Sequence, residues 1–222
     1  MIDSKQEAIL KLKADGLMQK DGNVNEKGSY QITSLYFDDY RNSCFYENEG
    51  GTDPRSKFRI RYYNQDREYL KLEKKSKKRG MTLKESCFIT PQQCLMLMQG
   101  LIPQPEEETD SRAAKLFEEM RIRKMQPKVI VSYERIPFVY RAGNVRITFD
   151  RNLTSSSDIG GFLDGTNAKR PIMQNGMSIL EVKWDEVLPL HIKSNMQFDS
   201  LQWTAFSKYY LCRKYNLNGG LK

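Results

Sequence analysis

The sequence has 222 residues, 39% hydrophobic and 11% aromatic, which describes a globular chain and excludes a disordered one. Its net charge of +8, with a pI near 9.2, favours an acidic partner: nucleic acid, an anionic membrane or a phosphate-rich small molecule. No secretory h-region is visible after Met1, no apolar run approaches the roughly 20 residues of a membrane span, and a single histidine, His191, argues against histidine-rich metal sites and histidine-based triads. Cys44, Cys87, Cys94 and Cys212 form no C-x-x-C pair and read as free thiols of a reducing, cytoplasmic compartment.

In chain order, Ser4-x-x-Glu7 reads as a capping box opening a helix that ends near Gly16, with Ala8, Ile9 and Leu12 on one face. A polar loop, Asp21–Ser29, leads into a strand over Tyr30–Phe37, and the short segment Cys44–Tyr46 reads as a further strand. Lys57–Tyr62 alternates with a period of two: Lys57, Arg59 and Arg61 share one face, and Phe58, Ile60 and Tyr62 take the other. After a turn at Asn64-Gln65-Asp66, a second strand puts Lys71, Glu73 and Lys75 opposite Leu70 and Leu72. Lys74–Gly80 reads as a basic, solvated loop, and Thr82–Ile89 as a strand with Lys84 and Ser86 facing one way and Leu83 and Cys87 the other.

Pro91 suits the first turn of a helix running to Met98 with an apolar cluster, Leu95 to Met98, in the core. Gln104–Asp110 is an exposed connection, and residues 111–124 are helical with Ala114, Leu116, Phe117, Met120 and Ile122 as core. Strands return over Lys128–Arg135, near Phe138–Tyr140, and over Val145–Arg151 after a Gly143-Asn144 turn. Residues 154–177 read as a long loop, and Ser178–Trp184 as the last strand. Residues 186–196 and 199–215 read as helices, the second with Trp203, Phe206 and Tyr210 on one side. The pattern is α+β, seven or eight antiparallel-type strands with flanking helices, and a sheet of about eight strands can close into an antiparallel barrel.

Arg59, Arg61, Lys75, Lys84, Arg146 and Lys183 come from five of these strands. Either they form a solvated sheet face, or the sheet closes with the charged face inward around a polyanion. Glu73 and Glu181 each stand two residues before a lysine, and cations crowded with two carboxylates suit a metal–phosphate ligand. Phosphoryl transfer needs positioning and charge stabilisation, so the scarcity of histidine is no obstacle.

Seven motifs then occur in order: Ser34-Leu35-Tyr36-Phe37-Asp38, Lys57-Phe58-Arg59-Ile60-Arg61, Leu72-Glu73-Lys74-Lys75, Ser132-Tyr133-Glu134-Arg135, Val145-Arg146-Ile147-Thr148-Phe149-Asp150, Leu180-Glu181-Val182-Lys183-Trp184-Asp185-Glu186 and Phe206-Ser207-Lys208-Tyr209-Tyr210-Leu211-Cys212. Together they resemble the VTC-type polyphosphate polymerase domain of the triphosphate-tunnel metalloenzyme (CYTH-like) superfamily, over about residues 4 to 215. The resemblance implies a tunnel lined by basic residues, in which the γ-phosphoryl group of ATP is transferred onto polyphosphate with Mn²⁺ or Mg²⁺. It implies phosphate contacts from Arg59, Arg61, Lys75, Lys84, Arg135, Arg146, Lys183 and Lys208. Glu181 is implied as the metal ligand, with Glu73 as a second carboxylate. Catalysis would rest on Arg59, Arg61 and Glu181, through charge stabilisation and metal positioning, with no side-chain nucleophile.

The resemblance also implies an opening strand of the type R-x-E-x-K-Y. This sequence starts at Met1-Ile2-Asp3-Ser4 without it, so the expectation is a single domain, 1–222, lacking the first family strand and weakened more in turnover than in binding. The partners expected are ATP, triphosphate and inorganic polyphosphate. Other readings are a tripolyphosphatase or nucleoside triphosphatase, a non-catalytic polyphosphate-binding domain, and a nucleic-acid module using Tyr62-Tyr63 beside Arg61. No nucleic acid is expected, because Glu73 and Glu181 would repel its phosphates. Asp150 and Asp185 read as structural, and His191 as without a role.

Overall fold

The computed structural model describes residues 1–105 and 110–217, with Ser200 described by its backbone alone. Most of the expected exposed connection before Asp110, residues 106–109, lies outside the described residues. In chain order the elements are α1 (Ser4–Leu17), β1 (Gln19–Lys20), β2 (Tyr30–Asp38), α2 (Ser43–Glu49), β3 (Arg55–Tyr63), β4 (Asp66–Lys78), β5 (Met81–Ile89), α3 (Pro91–Met98) and α4 (Ser111–Ile122). They are followed by β6 (Gln126–Tyr140), β7 (Val145–Ser156), β8 (Arg170–Pro171), β9 (Ile179–Lys183), α5 (Leu190–Met196) and α6 (Lys208–Leu217). The strands make a nine-stranded sheet whose path runs β5-β4-β3-β2-β6-β7-β8, with β1 on β6 and β9 on β7. Among the described residues no pairing joins β5 to the far end of this path, so the α+β class holds while hydrogen-bonded closure into a barrel is not seen.

The chain divides into two compact units. One comprises residues 1–31, 133–153 and 173–206. Its core gathers Leu10 and Ala14 of α1 with Met18 just past its end, Ile136 and Phe138 of β6, Val145, Ile147 and Phe149 of β7, and Ile192 and Met196 of α5. Helix α1 is capped by Asp3 rather than Ser4, through a reciprocal pair with Gln6, which shifts the expected capping box by one residue. Its buried residues are Glu7, Leu10 and Ala14, whereas Ile9 and Leu12 are exposed. Glu7 is instead hydrogen-bonded by the Ser178 hydroxyl.

The other unit comprises residues 32–132, 154–172 and 207–222. Strands β2 to β5 form an antiparallel meander here, and the sequence alternation holds: Phe58, Ile60, Leu70 and Leu72 are all fully buried. Helix α3 packs on β4 and α4 on β5. In α4 the core residues are Ala113, Leu116, Phe117 and Met120, while Ile122 is exposed at the helix end; in α3 Leu97 is buried and Leu95 is not.

Six expected elements change. Cys44–Tyr46 is helical, because the Asp38 carboxylate accepts hydrogen bonds from the Cys44 and Phe45 amides at 2.8 and 3.0 Å and so caps α2. The basic run 74–78 is strand, not loop. Lys74 turns to Glu85 (3.7 Å) and Glu119, and the hairpin is made by Arg79-Gly80, both at positive φ as a tight two-residue turn requires. Strand β7 runs on to Ser156 and meets β8, inside the expected loop. The last helix begins only at Lys208, since the Ser207 hydroxyl accepts the Tyr210 amide at 3.2 Å and Trp203 stays outside it, exposed. Strand β6 is continuous through Phe138–Tyr140, and α5 starts four residues later than expected, after Pro189.

Candidate phosphate-binding site

In the second unit, antiparallel register aligns side chains from three strands into rows. Lys57, Lys75 and Lys84 form one row; Arg59, Glu73 and Ser86 the next; Arg61, Lys71 and Phe88 the third. Residues two apart along a strand point to the same side, so the rows share one face, roughly 7 Å apart. Three of the expected cations, Arg59, Arg61 and Lys84, meet here around Glu73. Its Oε2 accepts from Arg59 Nε at 2.6 Å and lies 3.9 Å from Arg61 Nη1, while Oε1 pairs with Lys84 Nζ at 2.6 Å.

Glu73 is 1% exposed. Burial pushes its pKa up, but Arg59, Arg61 and Lys84 outweigh burial and hold it at about 2, so it is ionised. The arginines are fixed on their other sides. Arg59 donates to the Tyr36 hydroxyl at 2.9 Å, and Arg61 to the Tyr63 hydroxyl at 3.3 Å. Three cations around one carboxylate leave the cluster positive.

The sequence alternation places Lys57 on this face and assigns it no role. Its ammonium donates to Ser207 Oγ at 2.9 Å and sits 5.8 Å from the Tyr209 ring centroid. Burial, and then the charges of Lys75, Arg55 and Arg59, pull its pKa down to about 8. Lys208, the last expected phosphate contact, opens α6 directly after Ser207. Tyr36 was missed as a site residue; its parity on β2 opposite Arg59 was the available signal.

The first unit holds the remaining expected residues. Register pairs Arg146 with Lys183 and Thr148 with Glu181. Arg135, Arg146, Thr148, Glu181 and Lys183 line one pocket. Arg135 donates to both oxygens of the fully buried Asp150, at 2.6 and 2.7 Å, and reaches Glu181 at 3.4 Å. Burial works against its charge, but Asp150, Tyr133 and Glu181 more than offset that and raise its pKa. Glu181 also pairs with Lys183 at 3.0 Å and remains partly open to solvent. Thr148 Oγ1 is buried with no hydrogen-bond partner among the described residues, an oxygen the sequence reading had not singled out.

Among the described residues no three carboxylate, histidine or cysteine side chains gather as a metal cage. Mg²⁺ commonly takes one or two carboxylates and completes its shell with water and substrate phosphates. Glu181, whose carboxylate pairs with Arg135 and Lys183, and the Thr148 hydroxyl across from it are the hard oxygens of this pocket that could hold such an ion.

The chain is thus α+β, with a nine-stranded sheet and with arginines and lysines ordered on one face of β3 to β5. The VTC domain family model matches residues 3–216, and the chain belongs to that family. No curated protein sequence matches it. Among the solved structures that share the fold are two described as candidate cyclases. One, a candidate adenylate cyclase from Bacillus halodurans, is 12% identical with a TM-score of 0.51, the match covering 90% of this chain and 88% of the other. The second is HpAC1 from Hippeastrum, a candidate adenylyl cyclase with a dominant triphosphatase activity. It is 13% identical with a TM-score of 0.55, covering 98% and 92%.

Proposed function

We propose that this VTC domain is a metal-dependent polyphosphate polymerase that transfers the γ-phosphoryl group of ATP onto polyphosphate in a basic tunnel. The observation that supports it is the ordered Arg59–Glu73–Arg61–Lys84 cluster on one sheet face. Guanidinium forks match phosphate oxygens bidentately, and groups already held in place cost no reorganisation as charge moves in the transition state. Arg59 and Arg61 are the catalytic cations in this reading, and Glu73 aims them by occupying their inner edges. Lys75, Lys84 and Lys208, and in the other unit Arg135, Arg146 and Lys183, are further phosphate contacts. Glu181 would hold Mn²⁺ or Mg²⁺, which when bound neutralises phosphate charge and polarises the transferring group. No side-chain nucleophile is needed.

The reading is of a cytoplasmic domain, supported by four buried, unpaired thiols; no described helix is long and apolar enough to cross a membrane. The same residues would serve a triphosphatase with water as acceptor, the activity reported for HpAC1. Incubation with ATP and Mn²⁺ and resolution of the products on a gel separates the two. Long chains support the polymerase, short phosphate alone supports the hydrolase, and neither product despite triphosphate-dependent thermal stabilisation would leave a binding domain.

A further inference from the structure

We propose that the exposed aromatic side chains at one end of the β3–β5 face, Tyr63, Tyr69 and Phe88, seat the base of a nucleoside triphosphate. The inference rests on the reading that the cationic rows of that face take the phosphates. Phe88 is in register with Lys71 and Arg61, Tyr69 lies one side-chain step further from the lysine row, and Tyr63, past a register shift that follows Arg61, stays beside Arg61 through its hydroxyl, which accepts from that guanidinium at 3.3 Å. Phe88 is 63% and Tyr69 66% exposed, while their strand neighbours Cys87, Ile89 and Leu70 are the buried ones. The two rings meet edge to face, centroids 6.4 Å apart at 76°. Lys71 Nζ stands 5.4 Å from the Phe88 centroid and the Arg61 guanidinium 5.8 Å from that of Tyr63. Cations and aromatic faces are therefore continuous.

The arrangement has a polarity. From Tyr69 to Glu73 is four residues of strand, on the order of 13 Å, the scale of a ribose with an extended triphosphate. A base against Tyr69 and Phe88 directs its phosphates past Lys71 and Arg61 to Arg59, with the row of Lys57, Lys75 and Lys84 at the terminal phosphate. Among the described residues of β3 to β5 the exposed aromatics of this face lie at this end, and Tyr36, also on this face, is 7% exposed with its hydroxyl held by Arg59. A single-stranded nucleic acid is bound on successive stacking platforms; one platform fits one base.

The test is calorimetric titration of the whole protein and a Tyr69→Ala/Phe88→Ala variant with ATP, with inorganic triphosphate and with oligo-dT. The expected result is an ATP-to-triphosphate affinity ratio that falls roughly tenfold or more in the variant, the loss of one stacked base, and is retained by Tyr69→Phe/Phe88→Tyr. An unchanged ratio with triphosphate still bound would overturn the base site and leave the phosphate reading intact. No triphosphate binding by the unaltered protein would overturn that reading itself. Oligo-dT binding that is lost in the variant, with ATP unaffected, would assign the platform to nucleic acid and refute the proposal.

Discussion

Glu73 is ionised in the fold because three cations outweigh its burial. Its folded pKa of about 2 lies below the ordinary 4.5, so the unfolded chain holds more protons between these values. The stabilisation is complete above about pH 4.5 and is lost as pH falls toward 2. The difference corresponds to about 3 kcal/mol. Urea denaturation at pH 7 and pH 3 should show the native protein losing more stability on acidification than Glu73→Gln does. Lys57 has the opposite problem. Its folded pKa, about 8, lies below the usual 10.5, so its contribution to stability rises with pH between the two. A bound phosphate anion would restore the charge. Triphosphate binding at pH 8.5 should therefore take up a proton, read as a calorimetric enthalpy that changes with buffer ionisation, and Lys57→Met should remove that dependence. Glu181 is partly exposed at the end of its ion pairs, so Glu181→Gln should keep the melting temperature while metal-dependent turnover of ATP falls by orders of magnitude.

At the scale of elements, one carboxylate ties three together. Asp38 ends β2, caps α2 through two amides and accepts from the Tyr209 hydroxyl of α6 at 2.6 Å. Asp38→Ala would orphan two helix amides and a buried phenol. A loss of about 2–4 kcal/mol in denaturant unfolding is expected, with binding weakened through the Ser207–Lys57 contact that α6 carries. The same arrangement explains a misread element. A helix at 43–49 begins on a carboxylate from the preceding strand, and nothing inside Cys44–Tyr46 distinguishes that from a short strand. The lysines of 74–78 read as loop because their partners are remote: Glu119 stands 45 positions from Lys74.

For the whole molecule the relevant quantity is a net charge of +8. Lys84 and Lys183 are about half-exposed or more, so much of their attraction for a polyanion is open to screening. The Debye length shrinks below about 10 Å above 0.1 M salt. Polyphosphate affinity should drop at least tenfold between 50 and 300 mM KCl, and affinity indifferent to salt would contradict the charged-face reading.

The sequence by itself determined the local pattern: which residues of β3 and β4 face the core, and that Arg59, Arg61 and Glu73 share the other side. Alternation around Phe58, Ile60, Leu70 and Leu72 allows no other assignment, because a one-residue slip would bury lysines and expose leucines. Seven motifs in order carried the family. Only the tertiary structure decided which charges are partners. Register across β3, β4 and β5 turned Glu73 into the counter-ion of Arg59 and Lys84 and brought Tyr69 against Phe88, while the adjacency of β6 and β7 paired Arg135 with Asp150. Such pairings depend on strand neighbours distant in sequence, and electrostatics acts across that distance in space, where periodicity carries no information.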